Sequence, residues 1–198
     1  MELAENTEDD SVSAQAVALV GRELSTERTK AILVLALRRR RLQTARAALE
    51  ALGTSGDTAA IAILAKVLAR EKGELAVAAA EALGKTGHPA AEPPLIRALA
   101  REKSDIQVAA ANALARVGTA AAVLPLKEAA ERSPRDPDLR RATRQAIAEI
   151  QSRLQGASPG QLSLAGADVG QLSLAPGEAG QLSLATDPAG QLSISNEQ

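Results

Sequence analysis

The chain has 198 residues, 45% of them hydrophobic, and contains no Phe, Tyr or Trp, so it lacks the side chains that usually fill a globular centre. A formal net charge of −1 argues against nucleic-acid binding through bulk charge. The absence of cysteine excludes a disulfide framework, a thiol nucleophile and a thiolate metal site. Such a composition fits small stacked units, each touching only its neighbours.

Residues 1–10 carry Glu2, Glu5, Glu8, Asp9 and Asp10 with no base among them, which reads as a solvated, disordered arm. An acidic start is not a signal-peptide n-region, so the expected location is the cytoplasm. Helix is expected from residue 11, with Ser11 as cap and Val12, Ala16, Val17, Leu19, Val20 and Leu24 at helical spacing. The next helix, about 27–40, is apolar nearly all round at Ile32, Leu33, Val34, Leu35 and Leu37. It needs cover on both sides, one from the following repeat and one from the first helix acting as a cap. The run Ala31 to Leu37 is far short of the roughly 20 apolar residues that span a bilayer.

From there a period of 31 residues takes over: it relates Leu52, Leu83 and Leu114, then Gly56, Gly87 and Gly118, and the phrases LAREKGE and LAREKSD. The period predicts helix pairs at about 27–40 with 42–53, 58–70 with 73–84, 90–102 with 105–116, and 120–132 with 137–154. Leu33, Leu64, Leu95 and Leu126 form a core ladder on the first helices. On the second helices the ladder is Leu52, Leu83 and Leu114, beside Ala47, Ala78, Ala109 and Ala51, Ala82, Ala113. Alanine at repeated slots permits close helix approach. Asp57, His88 and Thr119 follow the repeated glycine at the N-cap place, and that glycine suits φ > 0. The last pair slips register by two residues through Ser133-Pro134-Arg135-Asp136-Pro137, a looser turn that ends the array.

Leu75-Ala76, Ala82-Leu83-Gly84-Lys85-Thr86-Gly87-His88-Pro89, Gly56-Asp57 and the prolines Pro94 and Pro125 together resemble the short HEAT-like repeats of phycobilisome-lyase-type proteins, over roughly 27–154. The resemblance implies an all-α, right-handed α-solenoid of about four helix pairs with an N-terminal capping helix. The family's arginine near the start of the second helix is replaced by Ala45, Ala76 and Gln107 and kept at Arg140, which implies thinner bracing between repeats. A chromophore-lyase accessory role, also implied by the resemblance, finds no supporting constellation of residues.

After Arg153 no basic residue follows, and a ten-residue repeat begins. The organisation expected is therefore an arm over 1–10, a solenoid over 11–154 and a tail over 155–198. The tail repeats Gln-Leu-Ser-Leu at Gln161, Leu162 and Leu164; at Gln171, Leu172 and Leu174; at Gln181, Leu182 and Leu184; and, ending in isoleucine, at Gln191, Leu192 and Ile194. Alternation puts each copy's apolar pair on one face of an extended strand, with Gly/Pro-rich spacers leaving it flexible or in short β structure. Four copies suit multivalent strand addition to a partner's sheet edge, or stacking of the copies as β rungs. The motif also resembles the start of the pentapeptide by which bacterial proteins bind the replication sliding clamp, but Ala165, Ala175, Ala185 and Ser195 replace its aromatic.

His88 is the only histidine and sits at a capping slot, so it cannot assemble the several His and Glu ligands of a metal site. No aromatic is present to stack a base. The reading is a protein that is not an enzyme and needs no cofactor or metal, takes no nucleic acid and inserts in no membrane. It acts as a protein–protein interaction scaffold, with a self-assembling structural protein as the alternative. Arg39, Arg70, Arg101 and Arg132, one per repeat, form a candidate edge for gripping an acidic or phosphorylated partner. Their competing role is to offset helix dipoles at C-termini.

Overall fold

A computed structural model describes residues 9–21, 23–101 and 103–153; the tail and its predicted docking residues lie outside them. Among the described residues are nine α-helices: α1 Asp10–Val20, α2 Thr26–Arg38, α3 Leu42–Ser55, α4 Thr58–Arg70, α5 Glu74–Lys85, α6 Glu92–Ala98, α7 Ser104–Val117, α8 Val123–Arg132 and α9 Pro137–Arg153. One-turn 3-10 helices at Pro89–Ala91 and Ala120–Ala122 lead into α6 and α8. The helices form two layers. α1, α3, α5, α7 and α9 each pack on the next of their own layer, while α2, α4, α6 and α8 cover them and touch one another less.

The caps explain where the helices begin. Asp57 accepts the Ala59 N–H at 3.1 Å, His88 Nδ1 the Ala90 N–H at 3.1 Å, and Thr119 Oγ1 the Ala121 N–H at 3.3 Å, each satisfying an amide the helix cannot. At the start of α1 the cap is Asp9, which accepts from Ser11 N at 2.8 Å; Ser11 already lies inside the helix. Gly56 and Gly87 take φ of 66° and 64° as anticipated. Gly118 does not. It is extended, with φ −69° and ψ 148°, because its N–H still bonds Leu114 O at 2.7 Å and its carbonyl is held by Arg153 Nη2 at 2.9 Å.

Both leucine ladders are buried throughout. What sets the layer spacing is glycine against alanine. A Cβ on Gly21 would lie 2.8 Å from Ala51 Cβ, one on Gly53 2.9 Å from Ala82 Cα, and one on Gly84 2.8 Å from Ala113 Cα. Ala47 and Ala78, expected in the core, are only half-buried, on the open face of this layer.

Three further expectations are corrected. The first helix does not cap α2: Gly21 seats α1 on α3 instead, and Val34 of α2 stays 42% exposed. The expected 90–102 helix stops at Ala98, where side chains take the carbonyls that would continue it. Gln107 Nε2 donates to Leu99 O at 3.0 Å and Arg101 O at 2.7 Å. Gln107 thus braces the repeat where the resemblance implied a loss. The departure of α9 from its predecessors, by contrast, is as expected for the end of the array. With the two-residue slip, Arg144 and Gln151 stand where α7 has the buried Ala111 and Gly118, and a polar outer face suits a terminal repeat.

Gly84→Val forces a branched side chain against the Ala113 backbone and is expected to cost about 1–3 kcal/mol, lowering the melting temperature by roughly 4–10 °C. Circular dichroism at 222 nm measures it. Gly87→Ala, with nothing within 4 Å but φ of 64°, is expected to cost less.

Candidate interaction surface

The alanines that permit close packing also shape the exposed side of the layer. α1 contributes Ala14, Gln15 and Ala18, α3 contributes Arg46, Ala47 and Glu50, and α5 contributes Ala78, Glu81, Ala82 and Lys85 to an open hollow of about 280 Å³. Its floor is methyl groups and its rim is charged. Lys85 Nζ lies 2.6 Å from Glu50 across the α3–α5 seam, with both side chains well exposed; such a pair is worth at most about 1 kcal/mol and yields easily to another partner. Sequence reasoning missed this surface, because it assigned Ala47 and Ala78 to the core. Their charged neighbours Arg46, Glu50 and Glu81 were the available signal.

The four arginines of the ladder do not share one role. Arg101 reaches back to the C-terminal end of α4, donating to Leu68 O at 2.7 Å, Ala69 O at 3.2 Å and Glu71 O at 2.9 Å. Arg132 donates to Leu99 O and, within its own helix, to Glu128 O, each at 3.3 Å. Arg70, at the end of α4, and Arg39, just after α2, are exposed. Arg153, outside the ladder, caps α7 through Ala115 O and Gly118 O. Cations at these ends also oppose the helix dipole.

His88 spends its Nδ1 lone pair on the Ala90 amide. Among the described residues no group of three or more His, Cys, Asp or Glu is placed to hold a metal ion. One acid does sit inside: Glu92, 9% exposed, accepts from Thr119 N at 2.7 Å and Thr119 Oγ1 at 2.9 Å, tying α6 to the next turn. The signal was a Glu where the other repeats have Ile61 and Val123.

Three aspartates have lowered pKa values. At Asp10 burial pulls upward but is outweighed by hydrogen bonds from the Thr44 hydroxyl, the Thr44 and Gln43 amides, and the charge of Arg41. At Asp57 the Ala59 amide leads, with the Thr26 hydroxyl; at Asp136 the Leu139 amide leads, with the Ser104 hydroxyl. A carboxylate held below its unfolded value stabilises the fold fully above that value and loses the contribution as pH falls through the native one.

A family model of HEAT repeats matches residues 69–148, and one of the PBS lyase HEAT-like repeat matches residues 44–70. The helical array is built of HEAT repeats. Human deoxyhypusine hydroxylase, solved in complex with glycerol, is similar in structure, with a TM-score of 0.51 at 18% identity over 76% of this chain and 72% of that one. An engineered protein gives 0.46 at 21% identity, covering 76% and 78%. At 18% identity the likeness to the hydroxylase is one of fold. No curated protein matches the chain. Among the described residues of the HEAT array no helix is long and apolar enough to cross a membrane.

Arg101→Gln removes three bonds to the end of α4 and is expected to cost about 1–3 kcal/mol, whereas Arg70→Gln should stay within about 0.5 kcal/mol; thermal melts compare them. Asp57→Asn keeps a capping oxygen but cannot titrate. Its melting temperature should be little changed at pH 7, and its fall below about pH 4, the unfolded carboxylate range, should be shallower than that of the parent chain.

Proposed function

We propose that the protein is a non-catalytic interaction scaffold of the cytoplasm: the HEAT array binds a polypeptide on the α1–α3–α5 face, and the tail presents Gln-Leu-Ser-Leu copies to another protein. The observation that supports the first half is the open alanine floor with a weakly paired charged rim. Small side chains let a partner's backbone or helix approach closely, and the rim charges supply orientation more than affinity. That surface is unlike a small-molecule site, which is typically concave, enclosed and largely apolar. The bonded state of Arg101 and Arg132 favours bracing over ligand capture at those two rungs, and the exposed Arg70 is the ladder position proposed for an acidic partner. Four tail copies on one chain raise avidity through effective concentration.

Affinity capture from a native lysate, read by mass spectrometry, separates the halves. Three baits are compared: the full chain, the full chain with Ala18→Arg, and a chain stopped after Leu154. Ala18 is exposed, so arginine there fills the hollow without entering the core. Partners lost with Ala18→Arg and kept by the truncation place recognition on the hollow; partners lost only with the truncation place it on the tail. If both altered baits keep every partner of the full chain, neither surface is the docking site. Oligomers that grow with concentration only when the tail is present would favour the self-assembling alternative.

A further inference from the structure

The layer formed by α1, α3, α5, α7 and α9 has two ends, and each leaves a seam slot unfilled. Neighbours in the layer run parallel, since Asp10 bonds Thr44 near the start of α3 while Gly21 meets Ala51 near its end. Gly21 and Gly53 are equivalent, so Leu19 and Ala51, two residues before them, are equivalent too. Ala51 is buried because α1 lies on it. Leu19 has no helix before it in the layer and is 84% exposed. Val12, at the Thr44 slot, is 42% exposed. Among the described α-helices, α1 alone carries no charged side chain beyond its first residue.

The far end offers the matching slot. With the slip before α9, Ala148 stands where α5 has Gly84 and α7 has the buried Ala115, yet Ala148 is exposed. It opens on a hollow of about 370 Å³ between α8 and α9, lined also by Ala130 and Ile147. Arg140 and Arg144, one and two turns before Ala148 on the same side of the helix, are exposed. A parallel helix seated here in the register of the other seams brings the first turn of an incoming α1, with Asp9 and Asp10, beside Arg140, and Leu19 over Ala148. Charge matches at one level and side-chain size at the other, while the arginine stems can lie along Val12.

We propose that a second copy of this chain occupies each end: α1 of one copy seats on α9 of the next, Leu19 over Ala148, so that the layer continues across molecules. Such a contact is heterologous and adds copies head to tail rather than in two-fold pairs. One helix laid on another, flanked by the polar Arg144 and Gln151, makes a small interface, and the association is weak and concentration-dependent. It uses no tail residue. Neither Leu19 nor Ala148 lines the α1–α3–α5 hollow, so partner capture on that hollow can succeed or fail without bearing on it.

Sedimentation equilibrium with interference optics, which needs no aromatic absorbance, follows the full chain from about 10 μM to about 1 mM. Three proteins are run: the parent, Leu19→Asp and Ala148→Arg. Both changes fall at exposed positions and should leave the melting temperature within about 2 °C. The parent mass should climb past that of a dimer, and each variant alone should stay near 20.3 kDa. An equimolar mixture of the two variants should approach a dimer and stop there, because each retains the end that the other lacks. A parent that stays monomeric throughout overturns the proposal, as does a mixture that does not associate. Self-association by either variant alone overturns it too, Ala148→Arg alone pointing to two-fold pairing of α1 and both variants alone pointing to the tail.

Discussion

The contact of a glycine in one helix with an alanine in the next governs the rest of this structure. At Gly21, Gly53 and Gly84 the neighbouring alanine lies where a Cβ would have to go, so the layer formed by α1, α3, α5 and the C-terminal half of α7 is drawn together to backbone distance. In a chain without aromatic residues this closeness replaces bulk: dispersion between many small groups at short range does what a few large side chains do in a globule. It also explains why the leucines of both ladders are completely enclosed although each repeat contributes few of them.

Close packing leaves helix ends with unmet carbonyls and amides, and the array meets them across repeats. Arg101 serves α4, Arg132 serves α6 and Arg153 serves α7. Thr26 donates to Asp57 at 2.9 Å, Glu92 takes the amide and hydroxyl of Thr119, and Ser104 donates to Asp136. Each bond joins neighbours in the stack. Stability is therefore of the nearest-neighbour kind expected of repeat arrays. The two ends depart from the pattern differently: α9 replaces small buried residues with Arg144 and Gln151, while α1 closes the other end as a lone helix of the α3 layer, with Leu19 84% exposed.

The same alanines account for the open hollow. A layer floored by methyl groups has little side-chain relief on its open side, so charged residues one turn away become a rim. The geometry that stabilises the array thus leaves an open face of small side chains with a charged rim. The single histidine caps a helix, and the buried Glu92 braces a turn.

The 31-residue period made the helix pairs, the leucine ladders and the caps at Asp57, His88 and Thr119 legible without coordinates, because each copy repeats the same local helix and cap pattern. The sequence by itself determined the all-helical repeat and its core. It did not determine which neighbour a helix chooses. That α1 joins α3 and leaves Val34 exposed, that Ala47 and Ala78 floor an open hollow, that Gln107 stands in for a missing arginine, and that Arg101 turns inward to carbonyls were decided by tertiary structure. The reason is physical: local spacing fixes which face of a helix is apolar, but the partner of that face, and of every unsatisfied group at a helix end, is set by contacts about thirty residues away in the chain.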